Sequence, residues 1–161
     1  MKFLSTILCA GVFSICLLSC NKKSDPQNQP TKTDHISASP WMYENAGIDN
    51  DKNGTIDLSL STIAPTLLPT CLTDNKISFS RNNSGTTDEG ASKCNTADPQ
   101  TTNFNWSFAD NEANLTISNN VFALLNGKSK IVSLTATNFT LSKDTTIAPL
   151  GNVALVVSLK H

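Results

Sequence analysis

Asn103-Phe104-Asn105-Trp106-Ser107-Phe108-Ala109-Asp110-Asn111-Glu112-Ala113-Asn114-Leu115-Thr116-Ile117-Ser118 is the stretch that decides the fold. Phe104, Trp106 and Phe108 alternate with Asn103, Asn105 and Ser107. After the polar break at Ala109-Asp110-Asn111-Glu112, Leu115 and Ile117 alternate with Asn114, Thr116 and Ser118. Successive side chains of a strand point to opposite faces, so each run has one apolar and one polar face. Two such runs joined by Asp and Asn read as antiparallel neighbours with one wet side.

The same alternation recurs outward in both directions. Towards the N-terminus, Ile77 and Phe79 alternate with Lys76, Ser78 and Ser80, and Asn82-Asn83-Ser84-Gly85 leads to a strand near Thr86. Towards the C-terminus, Asn126-Gly127, a hairpin cue, precedes the Ile131 run. Phe139 and Leu141, then Val153, Leu155, Val157 and Leu159, complete the series. About eight short strands at this spacing make an all-β domain, either a barrel or a sandwich. Ser59 to Leu68 is the exception: Leu60, Ile63, Ala64, Leu67 and Leu68 suit a short amphipathic helix near the start of the domain. Pro65 cuts into that helix.

The N-terminus carries a different message. Lys2 precedes an apolar run from Phe3 to Leu18, too short and wrongly flanked for a spanning helix. Residues 1–19 therefore read as a secretory signal peptide. The run ends in Leu17-Leu18-Ser19-Cys20, which resembles a bacterial lipoprotein signal, and that resemblance implies lipidation of Cys20 as the mature N-terminus. Two or more acyl chains hold a protein on a membrane stably. The expected location is thus the cell envelope, with an anchor in the outer membrane. Residues 20–40 are polar, with Pro26, Pro30 and Pro40. They read as a disordered linker reaching roughly 60 Å if extended.

Residues 41–161 then form one domain, large enough for a single core. The formal net charge of the whole chain is −1, which points to neither nucleic acid nor a strongly acidic partner. Of five cysteines, Cys9 and Cys16 leave with the signal and Cys20 takes lipid. Cys71 and Cys94 remain. In an oxidising compartment they are expected to form one disulfide, the alternative being two free thiols.

Further motifs resemble a family. Leu68-Pro69-Thr70-Cys71-Leu72-Thr73-Asp74-Asn75 is followed by Phe79, Gly85 and Asp88-Glu89-Gly90-Ala91-Ser92-Lys93-Cys94. Asp98-Pro99-Gln100-Thr101-Thr102 then leads to Trp106, and Ile131-Val132-Ser133-Leu134-Thr135-Ala136-Thr137 leads to Leu141. Together they resemble the lipocalin-like domain of Bacteroidetes lipoproteins, over most of Trp41 to Leu159. The pattern departs around Val121 to Lys130, where this chain looks longer. The resemblance implies a small up-and-down barrel with the two cysteines bridged. By analogy of shape it implies a small apolar ligand held in the barrel mouth. The alternative is an accessory with a filled barrel that meets a protein or glycan. A monomer is expected.

Asp49-Asn50-Asp51-Lys52-Asn53-Gly54-Thr55-Ile56-Asp57 is the candidate site. Calcium takes about six to eight oxygens, which acidic loops supply from alternate positions. Asp49, Asp51 and Asn53 would offer side-chain oxygens, Thr55 its carbonyl, and Asp57 a direct or water-bridged contact. Gly54 falls at the sharp turn and Ile56 would tuck inward. Leu60 stands where a helix–loop–helix calcium site has its bidentate Glu. Trp41-Met42-Tyr43-Glu44 reads as strand rather than helix. A free-standing loop is therefore expected, with a remote carboxylate such as Asp74 completing the shell. The alternative is a solvated turn.

No enzyme is expected. His35 and His161 have no nucleophile in a matching local motif. Asp88 and Glu89 are sequence neighbours that would face opposite ways. Phosphate-binding glycine loops are missing from the sequence.

Overall fold

The computed structural model describes residues 29–38, 40–120 and 123–161. The expected signal peptide (1–19), Cys20 and the first part of the linker lie outside the described residues, as do Val121 and Phe122. The chain runs α1 (Lys32–Ile36), β1 (Trp41–Asp49), β2 (Leu58–Ser59), α2 (Leu60–Ile63), β3 (Lys76–Phe79), β4 (Ser84–Asp88), β5 (Thr101–Ala109), β6 (Asn114–Ser118), β7 (Gly127–Leu134), β8 (Asn138–Ile147) and β9 (Gly151–Lys160).

From β3 to β9 each strand pairs antiparallel with the next, and β1 pairs with both β3 and β9. Eight strands thus close into an up-and-down barrel. The ninth, β2, is a short addition on β1, with Gly47 opposite Ser59 and Ile48 opposite Leu58. Closure leaves the eight-strand wall without free edges. It also chooses the barrel over the sandwich, a choice that strand patterning alone left open.

The alternating rows point as expected. Phe104, Trp106, Leu115, Ile117, Phe139, Leu141, Val153, Val157 and Leu159 are all buried in one cluster. Their polar neighbours Asn103, Asn105 and Ser107 are exposed. Each large apolar side chain buried this way stabilises the fold by roughly 1.5–3 kcal/mol.

Both ends are closed by short segments. At the first, Ile36 is fully buried and accepts a hydrogen bond from Trp41 Nε1 at 2.9 Å. This corrects the linker boundary, because residues 31–38 belong to the folded domain. Thr31 and Asp34 form a reciprocal capping box on α1, and Arg81 pairs with Asp34. A capping box and one well-placed apolar residue are enough to hold a single helical turn against an existing core.

The second closing segment is the expected helix, which is shorter than its periodicity implied. It breaks at Ala64, and Pro65–Leu67 continues as a 3-10 turn. Only Leu60 and Leu68 of its apolar set enter the core, while Ile63 and Leu67 are exposed. The Asn126-Gly127 cue likewise does not make a two-residue hairpin. Residues 119–126 connect β6 to β7 through a 3-10 turn at Ala123–Leu125. There the Asn126 side chain bonds the Asn120 backbone through both its oxygen and its nitrogen.

Candidate cation-binding loop

Residues 49–57 join β1 to β2, and the loop is closed at its base by Asp57 N–H donating to Ile48 O at 2.8 Å. Along β1 the inward residues are Ala46 and Ile48, so Gly47 and Asp49 face the outer wall. The loop folds back over that wall. Ile56 sits against Gly47, where an added Cβ would lie 2.3 Å from Ile56 Cγ2. Ala154 and Val156 pair with Asp49 and Gly47 and face outward too, yet they are buried. The loop tip reaches β7. A register shift between Ile131 and Ser133 makes Val132 the extra residue of a bulge. Val132 lies against Gly54, whose φ of +94° and lack of a side chain permit that approach. Lys52 tethers the tip to β8 through Asp144 at 3.4 Å.

Within the loop, carboxylates and amides organise one another. Asp49 is fully buried and accepts from Asn53 N–H (3.2 Å) and Gly54 N–H (2.7 Å). Asp51 accepts from the backbone N–H and the side-chain amide of Asn53. Asn53 Oδ1 accepts from Thr55 N–H at 2.8 Å. Asp57 accepts from the backbone and side chain of Asn50. Carboxylate oxygens of Asp49, Asp51 and Asp57 lie within 4.8 Å of one another. Burial pushes the Asp49 carboxyl up. Hydrogen bonds from the Gly54, Asn53 and Lys52 amides outweigh burial and leave it below the ordinary carboxylate range.

Three of the five expected ligands are therefore brought together as carboxylates. Asn53 and Thr55 are exposed on the same turn, with the Asn53 oxygen already engaged by Thr55. Leu60 is buried in the core, so the twelfth position is an apolar anchor. Asp74 does not complete the shell. It lies two residues before Lys76, which pairs with Met42 of β1, and its carboxylate is not among those gathered with Asp49. Its Oδ2 is taken by the amides of Ala91 and Ser92. Asn50, Lys52 and Val132 were not among the expected site residues. Their roles come from the fold of the loop and from the β7 bulge, which leave no local sequence signature.

Cys71 and Cys94 form the disulfide. It ties the 3-10 turn Thr70–Leu72 to the β4–β5 connection. Asn75, with its amide oriented to satisfy its neighbours, donates to Cys71 O and Glu89 O. Asp88 and Glu89 do diverge. Asp88 accepts from Gly90 N–H and Gln100 Nε2, whereas Glu89 is buried. His161 stacks on Trp41 with ring centroids 3.7 Å apart. Compared with protein-family models and with curated proteins, the chain gives no match.

Proposed function

We propose that this protein is a lipid-anchored, extracytoplasmic barrel of lipocalin-like type that acts through its outer surface, with residues 49–57 as a calcium-stabilised element. The observation that carries the outer-surface reading is the packing of the lumen. Phe79 on β3 makes edge-to-face contacts with Phe104, Trp106 and Phe139 at centroid separations of 5.2, 5.7 and 5.9 Å. Trp41 continues the chain of rings to Phe139 at 5.5 Å. These five rings are at most 4 % exposed. Aromatic side chains from four strands pack against one another inside the barrel, which supports a lumen occupied by the protein's own side chains and not by an apolar ligand. The lipobox-like Leu17-Leu18-Ser19-Cys20 and the disulfide support an anchored protein in an oxidising compartment.

For the loop, three convergent carboxylates offer hard oxygen ligands, and water would supply the remainder of a calcium shell. At ten times its dissociation constant, calcium bound only by the folded state adds about 1.4 kcal/mol. Millimolar calcium is expected to raise the melting temperature, and Asp51→Ala is expected to abolish the rise. An unchanged melting temperature would end the calcium assignment. Native mass spectrometry of detergent-extracted protein tests the lumen: a co-purifying apolar molecule would return the function to ligand carriage. Intact-mass analysis of the mature chain should find acyl groups on an N-terminal Cys20.

A further inference from the structure

Lysines that the near-zero net charge conceals are gathered on one wall. The tip of the 49–57 loop, lying on the outer face of the barrel, borders a groove of about 470 Å³ over β6, β7 and β8. Among the described residues, Lys52, Lys128, Lys130 and Lys143 line it together with one carboxylate, that of Asp144. Lys128 and Lys130 project from the same face of β7, roughly 7 Å apart along the strand. Lys52 pairs with Asp144, Lys128 with Asp110, and Lys143 donates to Asn126 O. The ammonium group of Lys130 has no partner among the described residues. With Lys52 and Lys128 paired to Asp144 and Asp110, Lys130 and Lys143 leave the groove lining net positive, beside the acidic turn of Asp49, Asp51 and Asp57.

The rest of the lining narrows the ligand class. Asn53, Asn114 and Ser142 supply neutral donors and acceptors, and Ile131 and Val132 give a small apolar floor. That combination suits the hydroxyls and C–H faces of a sugar chain bearing anionic groups. Among the described residues no aromatic side chain lines the groove, so they offer no stacking platform of the kind single-stranded nucleic acid binders use. Of the exposed apolar residues Leu58, Ile63, Leu67, Val132 and Leu150, Val132 alone lines the groove, and a single exposed aliphatic side chain is too little apolar surface to anchor this face in a bilayer.

We infer that this groove binds a carboxylated or sulfated polysaccharide. The inference deepens the outer-surface reading and rests on it. The test is binding of the purified full chain to dextran sulfate and to polygalacturonate at low salt, with neutral dextran and phosphatidylglycerol vesicles alongside. Binding to at least one anionic polysaccharide is expected. It should weaken as salt rises. The double substitution Lys128→Gln/Lys130→Gln should reduce affinity about tenfold or more, since charge-assisted contacts are the strong ones. A matched substitution away from the groove, Lys76→Gln, should leave affinity unchanged. Equal affinity in the groove variant, binding to vesicles alone, or binding to neither polyanion would overturn the inference. None of these results would alter the packed lumen or the calcium response, so failure here is distinguishable from failure of the outer-surface reading.

Discussion

Two turns of this molecule use the same chemistry to different ends. In the 49–57 loop the Asp49 carboxylate holds the amides of Asn53 and Gly54. In the turn after β4 the Asp74 carboxylate holds the amides of Ala91 and Ser92. At the second turn each aspartate works alone, and Cys71–Cys94 fixes the two segments covalently. At the first, two further carboxylates, Asp51 and Asp57, crowd within reach of Asp49, and the loop is held by hydrogen bonds, by Ile56 and Val132, and by Lys52. Amide capping by a single carboxylate makes a structural turn. Three carboxylates in one turn gather negative charge that the second turn does not have, and this is the difference on which the proposed calcium site rests.

The largest way to break this comparison is to remove the covalent difference. Cys71→Ser with Cys94→Ser, or reduction, is expected to cost about 3 kcal/mol, because the bridge spans a sequence separation of 23. For a domain of this size that lowers the melting temperature by roughly 10 °C. Thermal melts with and without reductant check it, and the calcium response of the other loop should survive. A double variant that melts with the native protein would mean that hydrogen bonds hold both turns equally.

A smaller effect is expected at the tip of the open loop. Gly54 has a φ of +94°, and a Cβ there would lie 2.7 Å from Val132 Cγ1. Gly54→Ala should cost about 1–2 kcal/mol through backbone strain and the displaced contact. Chemical denaturation measures this. Val132→Ala in the same background should recover part of the loss, which a purely conformational effect would not show.

Calcium sharpens the contrast directly. Asp74→Asn is expected to lower stability yet leave the calcium-induced rise in melting temperature intact, whereas Asp51→Ala removes the rise. If Asp74→Asn also removed it, the two turns would share one site after all.

The smallest and broadest effect is in acid. Asp49 in the open loop and Asp88 in the bridged one are both held below the ordinary carboxylate range, Asp88 mainly by the Gln100 side chain and the Gly90 amide. A carboxylate whose folded pKa is depressed binds protons first in the unfolded chain. Its contribution is present above the unfolded value, about 4, and is lost as pH falls below it. Melting temperatures should therefore hold steady from neutral pH to about 5 and fall below about 4. Gln100→Leu should make that fall shallower, and a native profile that stays flat down to about pH 3 would contradict the assignment.

How far the fold was legible follows from what a strand pattern encodes. Phe104, Trp106, Leu115, Ile117, Phe139 and Leu159 could be assigned to the interior because a period of two is a local property of the chain. The cysteine pair was legible by the same economy, since only Cys71 and Cys94 remain after residue 20. The folded turn at Lys32–Ile36 was missed, because it sits in a polar stretch and depends on one apolar residue, Ile36, meeting a core built elsewhere. Ile63 and Leu67 were placed inward by helical spacing, but Pro65 broke the helix and turned them to solvent.

The acidic loop was legible as a list of oxygen-bearing residues and not as a shape. Asp49, Asp51 and Asp57 were named from their spacing, while Asp74 was added from its charge alone and stands at another turn. Sequence by itself determined the alternating rows, the paired thiols and the carboxylates that share one loop, because each is fixed by near neighbours along the chain. Tertiary structure decided that the rows close into a barrel with five aromatic rings packed together inside it, that the loop lies on the outer wall, and that distant lysines meet beside its tip. Those outcomes depend on strand register and on a bulge at Val132, and register is set by packing across the whole sheet rather than by any one segment.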